Sequence, residues 1–172
     1  MNTISISPTK NIRLYVISRI AKENHLLVES VVRNLDEDIK PFVPHKHNPF
    51  DQQPHMPPEA AMRDWEEILK SNIGLAILPI GRDCAWEVGA FAGLNKPVIA
   101  YLQSMMDWFS PSHEYRNRED WMLRINLLKY ITPDVELAEK LQDDPFCKDR
   151  VVLIDKNNLL SKLIRETTQN LI

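Results

Sequence analysis

Continuous apolar runs alternate along this chain with stretches whose apolar positions recur at helical spacing. Ile12-Arg-Leu-Tyr-Val-Ile-Ser18 is rich in β-branched and aromatic side chains and predicts a first strand over 12–18. From about Lys22 to Leu35 the positions Leu26, Leu27, Val31 and Leu35 return near helical spacing. Pro41-Phe-Val-Pro-His45 reads as a short second strand, and the Pro, His, Asn and Gln residues from His45 to Pro57 as a loop with turn chemistry and no period. Pro58 opens a second helix, because a missing N–H costs nothing in a first turn. That helix carries Ala61, Trp65, Ile68 and Leu69 and ends near Asn72. Strand three is expected over 73–79, a helix over about 84–94, and strand four over 97–102. Beyond Leu102 the pattern weakens. The reading there is a polar, aromatic-bearing loop over 105–118, a helix from Glu119 to about Lys129 and another from Asp134 to Leu141. A last strand over 151–154 and a closing helix from Asn158 to about Leu171 complete the chain.

Strands alternating with helices, two of them nearly all apolar, predict a parallel sheet covered on both faces. With right-handed crossovers the simplest arrangement is a doubly wound α/β domain, flavodoxin-like, with five strands, spanning 1–172 as one domain. In that order a ligand crevice opens between the ends of strands one and three, where Ser18-Arg19 and the segment from Gly81 to Glu87 would meet.

The glycines sharpen this picture. The chain has only four, at 74, 81, 89 and 93, so the need for sharp turns or close approach is concentrated around strand three and the helix after it. In that helix Ala85, Val88, Ala90, Phe91, Ala92 and Leu94 cover every face, and Glu87 is the only charge among them. A helix apolar all round is expected to be buried, and a buried carboxylate is costly unless something compensates it. Glu87 is therefore the expected functional centre, near a helix start where the backbone dipole favours a carboxylate. The alternative is a structural pair with Lys96 or Arg82.

Composition narrows the classes. The net charge of −3 comes without a lysine or arginine block, so nothing points to a nucleic-acid polymer. No apolar run approaches the roughly eighteen residues of a membrane span, and the first residues lack the basic and apolar regions of a signal peptide. Cys84 and Cys147 lie far apart without metal-ligand spacing, which suits a cytoplasmic setting. Dinucleotide and P-loop glycine patterns are absent, as is a nucleophile elbow. Cys84 stands where a thiolate would be stabilised, or is a small buried residue. Asp83 either shares a helix face with Glu87 or caps the helix, and the two are compatible. His45, His47 and His55 match no specific metal site and read as loop residues, some lining a pocket. No metal or other cofactor is expected. Trp65, Trp86, Trp108 and Trp121 read as core by default, although an aromatic beside Glu87 could stack on a flat ligand.

Several of these residues together resemble the nucleoside 2-deoxyribosyltransferase family. The resemblance rests on Asp64-x-x-x-Ile68, Ile73-x-Leu-Ala-Ile-Leu-Pro79, Asp83-Cys-Ala-Trp-Glu87-Val-Gly89 and Gly93-Leu-Asn-Lys96-Pro-Val, and covers about residues 60–102. Asn126-Leu-Leu-Lys is similar to a later run in the family. The resemblance implies cleavage of an N-glycosidic bond, with Glu87 attacking the anomeric carbon, Asp64 addressing the nucleobase and Asp83 holding sugar or base. It further implies a homodimer or larger homo-oligomer in which Asn126 comes from a neighbouring subunit. The turn before Glu87 is shorter than the family's, and Ser18-Arg19 replaces a glycine-bearing turn. Arg19 or Arg82 could therefore meet the phosphate of a nucleotide, and Trp86 the base. The expected partner is a small nucleoside or nucleotide. Competing readings are a non-catalytic nucleotide sensor and a hydrolase of nucleoside monophosphates or NAD.

Overall fold

Six strands pair in parallel in the computed structural model, which describes residues 11–19, 22–47, 58–103, 121–154 and 158–169. They are β1 (Ile12–Ile17), β2 (Ile39–Phe42), β3 (Ile73–Ile77), β4 (Val98–Tyr101), β5 (Lys129–Thr132) and β6 (Val151–Leu153), in the order β2-β1-β3-β4-β5-β6. The helices among the described residues are α1 (Lys22–Arg33), α2 (Pro44–His47), α3 (Pro58–Lys70), α4 (Arg82–Gly93), α5 (Trp121–Asn126), α6 (Val135–Asp143) and α7 (Asn158–Gln169). None of them is long and apolar enough to cross a membrane.

The central strands have no polar face because helices cover both sides of the sheet. Tyr15, Ile17, Ala76 and Ala100 face a layer built by Ile68 of α3, Val88 and Phe91 of α4, Leu127 beside α5, and Leu137 and Leu141 of α6. Leu14, Val16, Leu75 and Ile99 face Val28 and Val31 of α1 and Leu160 and Ile164 of α7. Most of these side chains are fully buried, and each fully buried Val, Leu, Ile or Phe contributes roughly 1.5–3 kcal/mol. Gly74, the register partner of Tyr15, makes the close packing at the sheet centre possible. A Cβ there would lie 3.1 Å from Ile17 Cδ1 and 3.2 Å from Val98 Cγ2.

The structure corrects the sequence reading in four places. The sheet has six strands rather than five, because β5 lies between β4 and β6. Leu123, Leu127 and Tyr130 fall at helical spacing and disguise it as a continued helix, yet Tyr130, Ile131 and Thr132 are fully buried sheet residues. The second strand starts earlier and stops at Phe42, and Pro44 opens the short α2 instead of extending it. Pro41 is tolerated inside β2 because β2 is an edge strand. The N-cap of α4 is Gly81, without a side-chain cap, so Asp83 lies within the first turn and is not the cap. Finally, α4 buries Cys84, Val88 and Phe91 but exposes Ala85, Trp86, Gly89, Gly93 and Leu94, so it is not enclosed on every side. His55 and the 105–118 loop with Trp108 lie outside the described residues.

Candidate active site

The first five strands follow the order in which ligands bind beyond the carboxyl ends of the strands. α3 and α4 pack against each other and against β1 on one face of the sheet. Tyr15, fully buried in β1, projects from that face, and its hydroxyl donates a 2.7 Å hydrogen bond to Glu87 Oε1 on α4. Asp64, buried on the inner side of α3, acts electrostatically on both Tyr15 and Glu87. Asp83 is one helical turn before Glu87 and also acts on it, though its own side chain is exposed. Of the three acidic residues singled out from the sequence, Asp64 and Asp83 therefore both act on Glu87, and Asp64 and Glu87 also act on the Tyr15 phenol.

The protonation states follow from this crowding. Burial pushes the Glu87 carboxyl up to about 7; the Tyr15 hydrogen bond works against that rise, and Asp64 and Asp83 add to it. Tyr15 is held far above the ordinary phenol range, first by burial and then by Glu87 and Asp64, so it remains a neutral donor. A carboxyl that titrates near neutrality beside a fixed donor is matched to nucleophilic or acid–base work. The alternative ion pairs are not what holds Glu87. Lys96 Nζ donates instead to the Ile68 and Leu69 carbonyl oxygens at the end of α3, and Arg82 is not among the groups acting on the carboxyl. Cys84 is buried, and burial followed by the Glu87 charge pushes its thiol up to about 11. At neutral pH it is a packed thiol, not a thiolate.

The remaining predicted residues divide by position. Ser18 is buried and Arg19 exposed just past β1, on the same sheet edge as the Gly81–Arg82 start of α4. Trp86 is 62% exposed and packs against Trp65, with ring centroids 5.7 Å apart, so it lies on the outer side of α4 and is no core residue. Asn126 ends α5 at the opposite edge, where Leu128 N donates to the carbonyl of Val98 at the start of β4. It is not among the groups acting on Glu87 of its own chain.

Tyr15 was not among the residues the sequence singled out. A tyrosine in a β-rich run reads as core, and only its OH partner distinguishes it. It also begins an aromatic series, with Phe42 stacked at 5.6 Å from it and His47 at 4.6 Å from Phe42. His45 belongs elsewhere. It stacks on His25 at 4.0 Å and sets Nε2 3.3 Å from Glu29 Oε1, while burial and then His25 hold its pKa below the usual histidine range. Among the described residues no group of His, Cys, Asp or Glu side chains is disposed to hold a metal ion.

No protein-family model matches the sequence, and no curated protein matches it. Among the solved structures similar to this chain are these two. One is a 2-deoxyribosyltransferase from the psychrotolerant bacterium Bacillus psychrosaccharolyticus, 23% identical, with a TM-score of 0.47, covering 69% of this chain and 84% of that one. The other is a conserved protein from Enterococcus faecalis V583, 16% identical, with a TM-score of 0.50, covering 90% of this chain and 98% of that one. At its identity the likeness to the second structure is one of fold, and it extends over nearly the whole of both chains.

Proposed function

We propose that this chain cleaves or transfers at the N-glycosidic bond of a (deoxy)nucleoside or nucleotide, with Glu87 as the nucleophile. The observation that carries the reading is the half-buried Glu87 carboxyl, poised near neutrality, hydrogen-bonded by Tyr15 and acted on by the buried Asp64. It is joined by the sequence resemblance over residues 60–102.

In this reading the ionised Glu87 oxygen forms a bond to C1′ as the bond from C1′ to the base nitrogen breaks. The electron pair of the broken bond leaves with the base, which takes a proton from a protonated Asp64 or from water. A second base, or water, then attacks C1′ from the opposite side and releases Glu87. Tyr15, as a neutral donor, fixes the attacking carboxyl and favours its ionised form. Asp83 holds sugar or base, Trp86 offers an exposed ring next to Glu87 in the helix, and Ser18, Arg19 and Arg82 lie at the sheet edge where a 5′-substituent would reach. No metal or other cofactor enters the steps. Asn126, by the same resemblance, serves the site of a neighbour in a homo-oligomer.

The test is incubation with deoxynucleosides, deoxynucleotides and NAD, with and without free adenine, followed by chromatography. New nucleoside identifies a transferase, and free base alone a hydrolase. Binding without turnover would make the protein a nucleotide sensor and remove the nucleophile from the account.

A further inference from the structure

The run Gly93-Leu-Asn-Lys96-Pro-Val, which closes α4 and leads into β4, has no part in the chemistry above. Its backbone is nevertheless closely held. Asn95 takes a left-handed conformation, with φ 54°, which asparagine tolerates better than most residues. The Asn95 N–H donates to the Ala92 carbonyl at 3.0 Å, and the Lys96 N–H reaches back to the Phe91 carbonyl at 2.9 Å. Together these bonds make the Schellman closure that satisfies the last carbonyls of a helix. The next carbonyl, of Pro97, accepts from Gly74 N of β3 at 2.9 Å. Lys96 is thus fixed between a helix end and the sheet.

Its side chain crosses to the other helix of this face. The ammonium donates to the carbonyl oxygens of Ile68 at 2.9 Å and Leu69 at 2.6 Å, in the last turn of α3. A cation suits the C-terminal end of a helix dipole. Among the described residues no carboxylate figures in its field, and burial holds its pKa below the usual lysine range.

The register ties this lysine to the site. Ile68 stands four residues after Asp64, and Phe91 four after Glu87. Both Ile68 and Phe91 are buried in the same core layer. Through its ammonium and its backbone N–H, Lys96 therefore binds the carbonyl lying one helical turn beyond each of the two carboxyl residues.

We propose that Lys96 is a positioning residue, which staples the end of α3 to the end of α4 and so sets how closely Asp64 faces Glu87. The inference rests on the reading of those two carboxyl groups as the reacting pair. Lys96 is not among the groups acting on Glu87, so its influence runs through geometry. Burial raises the Glu87 carboxyl, the hydrogen bond from Tyr15 of β1 opposes the rise, and Asp64 of α3 and Asp83 of α4 add to it. Cys84 of α4 lies in the same field. Freeing the end of α3 lets Asp64 recede, and the midpoint of Glu87 falls. A direct loss of positive charge would move that midpoint upward instead, because a cation favours the ionised carboxylate.

Carbon-13 NMR titration of the glutamate side chains of the full chain tests this without calling on turnover, the Glu87 resonance being assigned by its absence from Glu87→Gln. Lys96→Met should lower the Glu87 midpoint by about 0.5 in pH or more, and Lys96→Arg should leave it near wild type. In an Asp64→Asn background Lys96→Met should move it little, since the group being positioned has lost its charge. Where circular dichroism shows Lys96→Met misfolded, Lys96→Gln takes its place and should shift the midpoint the same way. A midpoint that stays, that rises, or that falls equally in the Asp64→Asn background would overturn the proposal and leave Lys96 a helix cap. Turnover is measured separately: its absence in a chain whose midpoint moves as expected would count against the glycosidic function and leave the positioning role standing.

Discussion

On the sheet face covered by α1 and α7, Asp36 and Asp38 both receive Arg165, whose Nε donates to Asp38 Oδ2 at 2.8 Å. The hydrogen bond from Arg165 holds the Asp38 carboxyl below its ordinary range, and the two aspartates raise Arg165 further above its own. On the opposite face Glu87 is crowded by Asp64 and Asp83, and no cation figures among the groups acting on it. One arrangement neutralises charge and ties the turn after α1 to the closing helix. The other takes a carboxyl out of water beside like charges, and burial first, with the neighbouring aspartates adding to it, raises its pKa to about 7. Carboxylates paired with arginine serve the fold. Carboxylates left to repel one another make the fold less stable, and that cost is typical of sites that bind or react.

The largest effect expected from this contrast is on turnover. Glu87→Ala or Glu87→Gln should lower glycosidic cleavage by about 10³-fold or more while the circular dichroism stays that of wild type. Wild type quenched during turnover should carry a sugar adduct on the peptide containing Glu87, seen by mass spectrometry. Substantial activity in the alanine variant would end the nucleophile assignment.

Tyr15→Phe keeps the buried ring and removes only the hydroxyl. We expect kcat to fall by roughly 10- to 100-fold. Because the Tyr15 hydrogen bond lowers the Glu87 pKa, its loss should also move the acid limb of the kcat/KM profile to higher pH. An unmoved limb would reduce Tyr15 to a packing residue.

Stability should respond to pH in opposite directions on the two faces. Glu87 rises from an ordinary 4.5 to about 7 on folding. The folded state therefore keeps a proton that the unfolded chain gives up, and the stability this supplies is full below 4.5 and lost as pH climbs through 7. Glu87→Gln should accordingly melt higher than wild type at pH 8, by on the order of 2 kcal/mol in stability, and lose that relative advantage at pH 4. Asp38 is depressed instead, so its contribution is present above its ordinary 3.8 and lost as pH falls. Arg165→Met should cost roughly 1 kcal/mol in urea unfolding at neutral pH, less at pH 3, and leave the catalytic pH limb where it is.

The smallest effect concerns His45. Its folded pKa is depressed below 6.5, so the neutral ring supports the fold above 6.5 and that support fades as pH falls. His45→Gln should flatten thermal stability between pH 7 and 5 by a few tenths of a kcal/mol, about the scale of an ordinary surface change. A slope unchanged from wild type would assign the acid sensitivity to another group.

Much of this was legible in the sequence because local chemistry decided it. The continuous apolar runs at β1, β3 and β4 need a sheet covered on both faces, whatever the rest of the chain does. An acidic residue among alanines, valine and phenylalanine after such a strand marks Glu87 without coordinates. The tertiary structure decided what depends on distant neighbours. Lys129–Thr132 carries a helical spacing that only its place between β4 and β6 overrides. Tyr15 stands 72 residues from Glu87, and its ordinary look in a strand says nothing of that partner. The apolar circumference of α4 suggested full burial, but the sheet can cover only one side of a helix, and which residues stayed outside was set by packing against β1, β3 and α3. Periodicity reports how a segment can bury itself. What it meets there, and the protonation that follows, belong to the assembled fold.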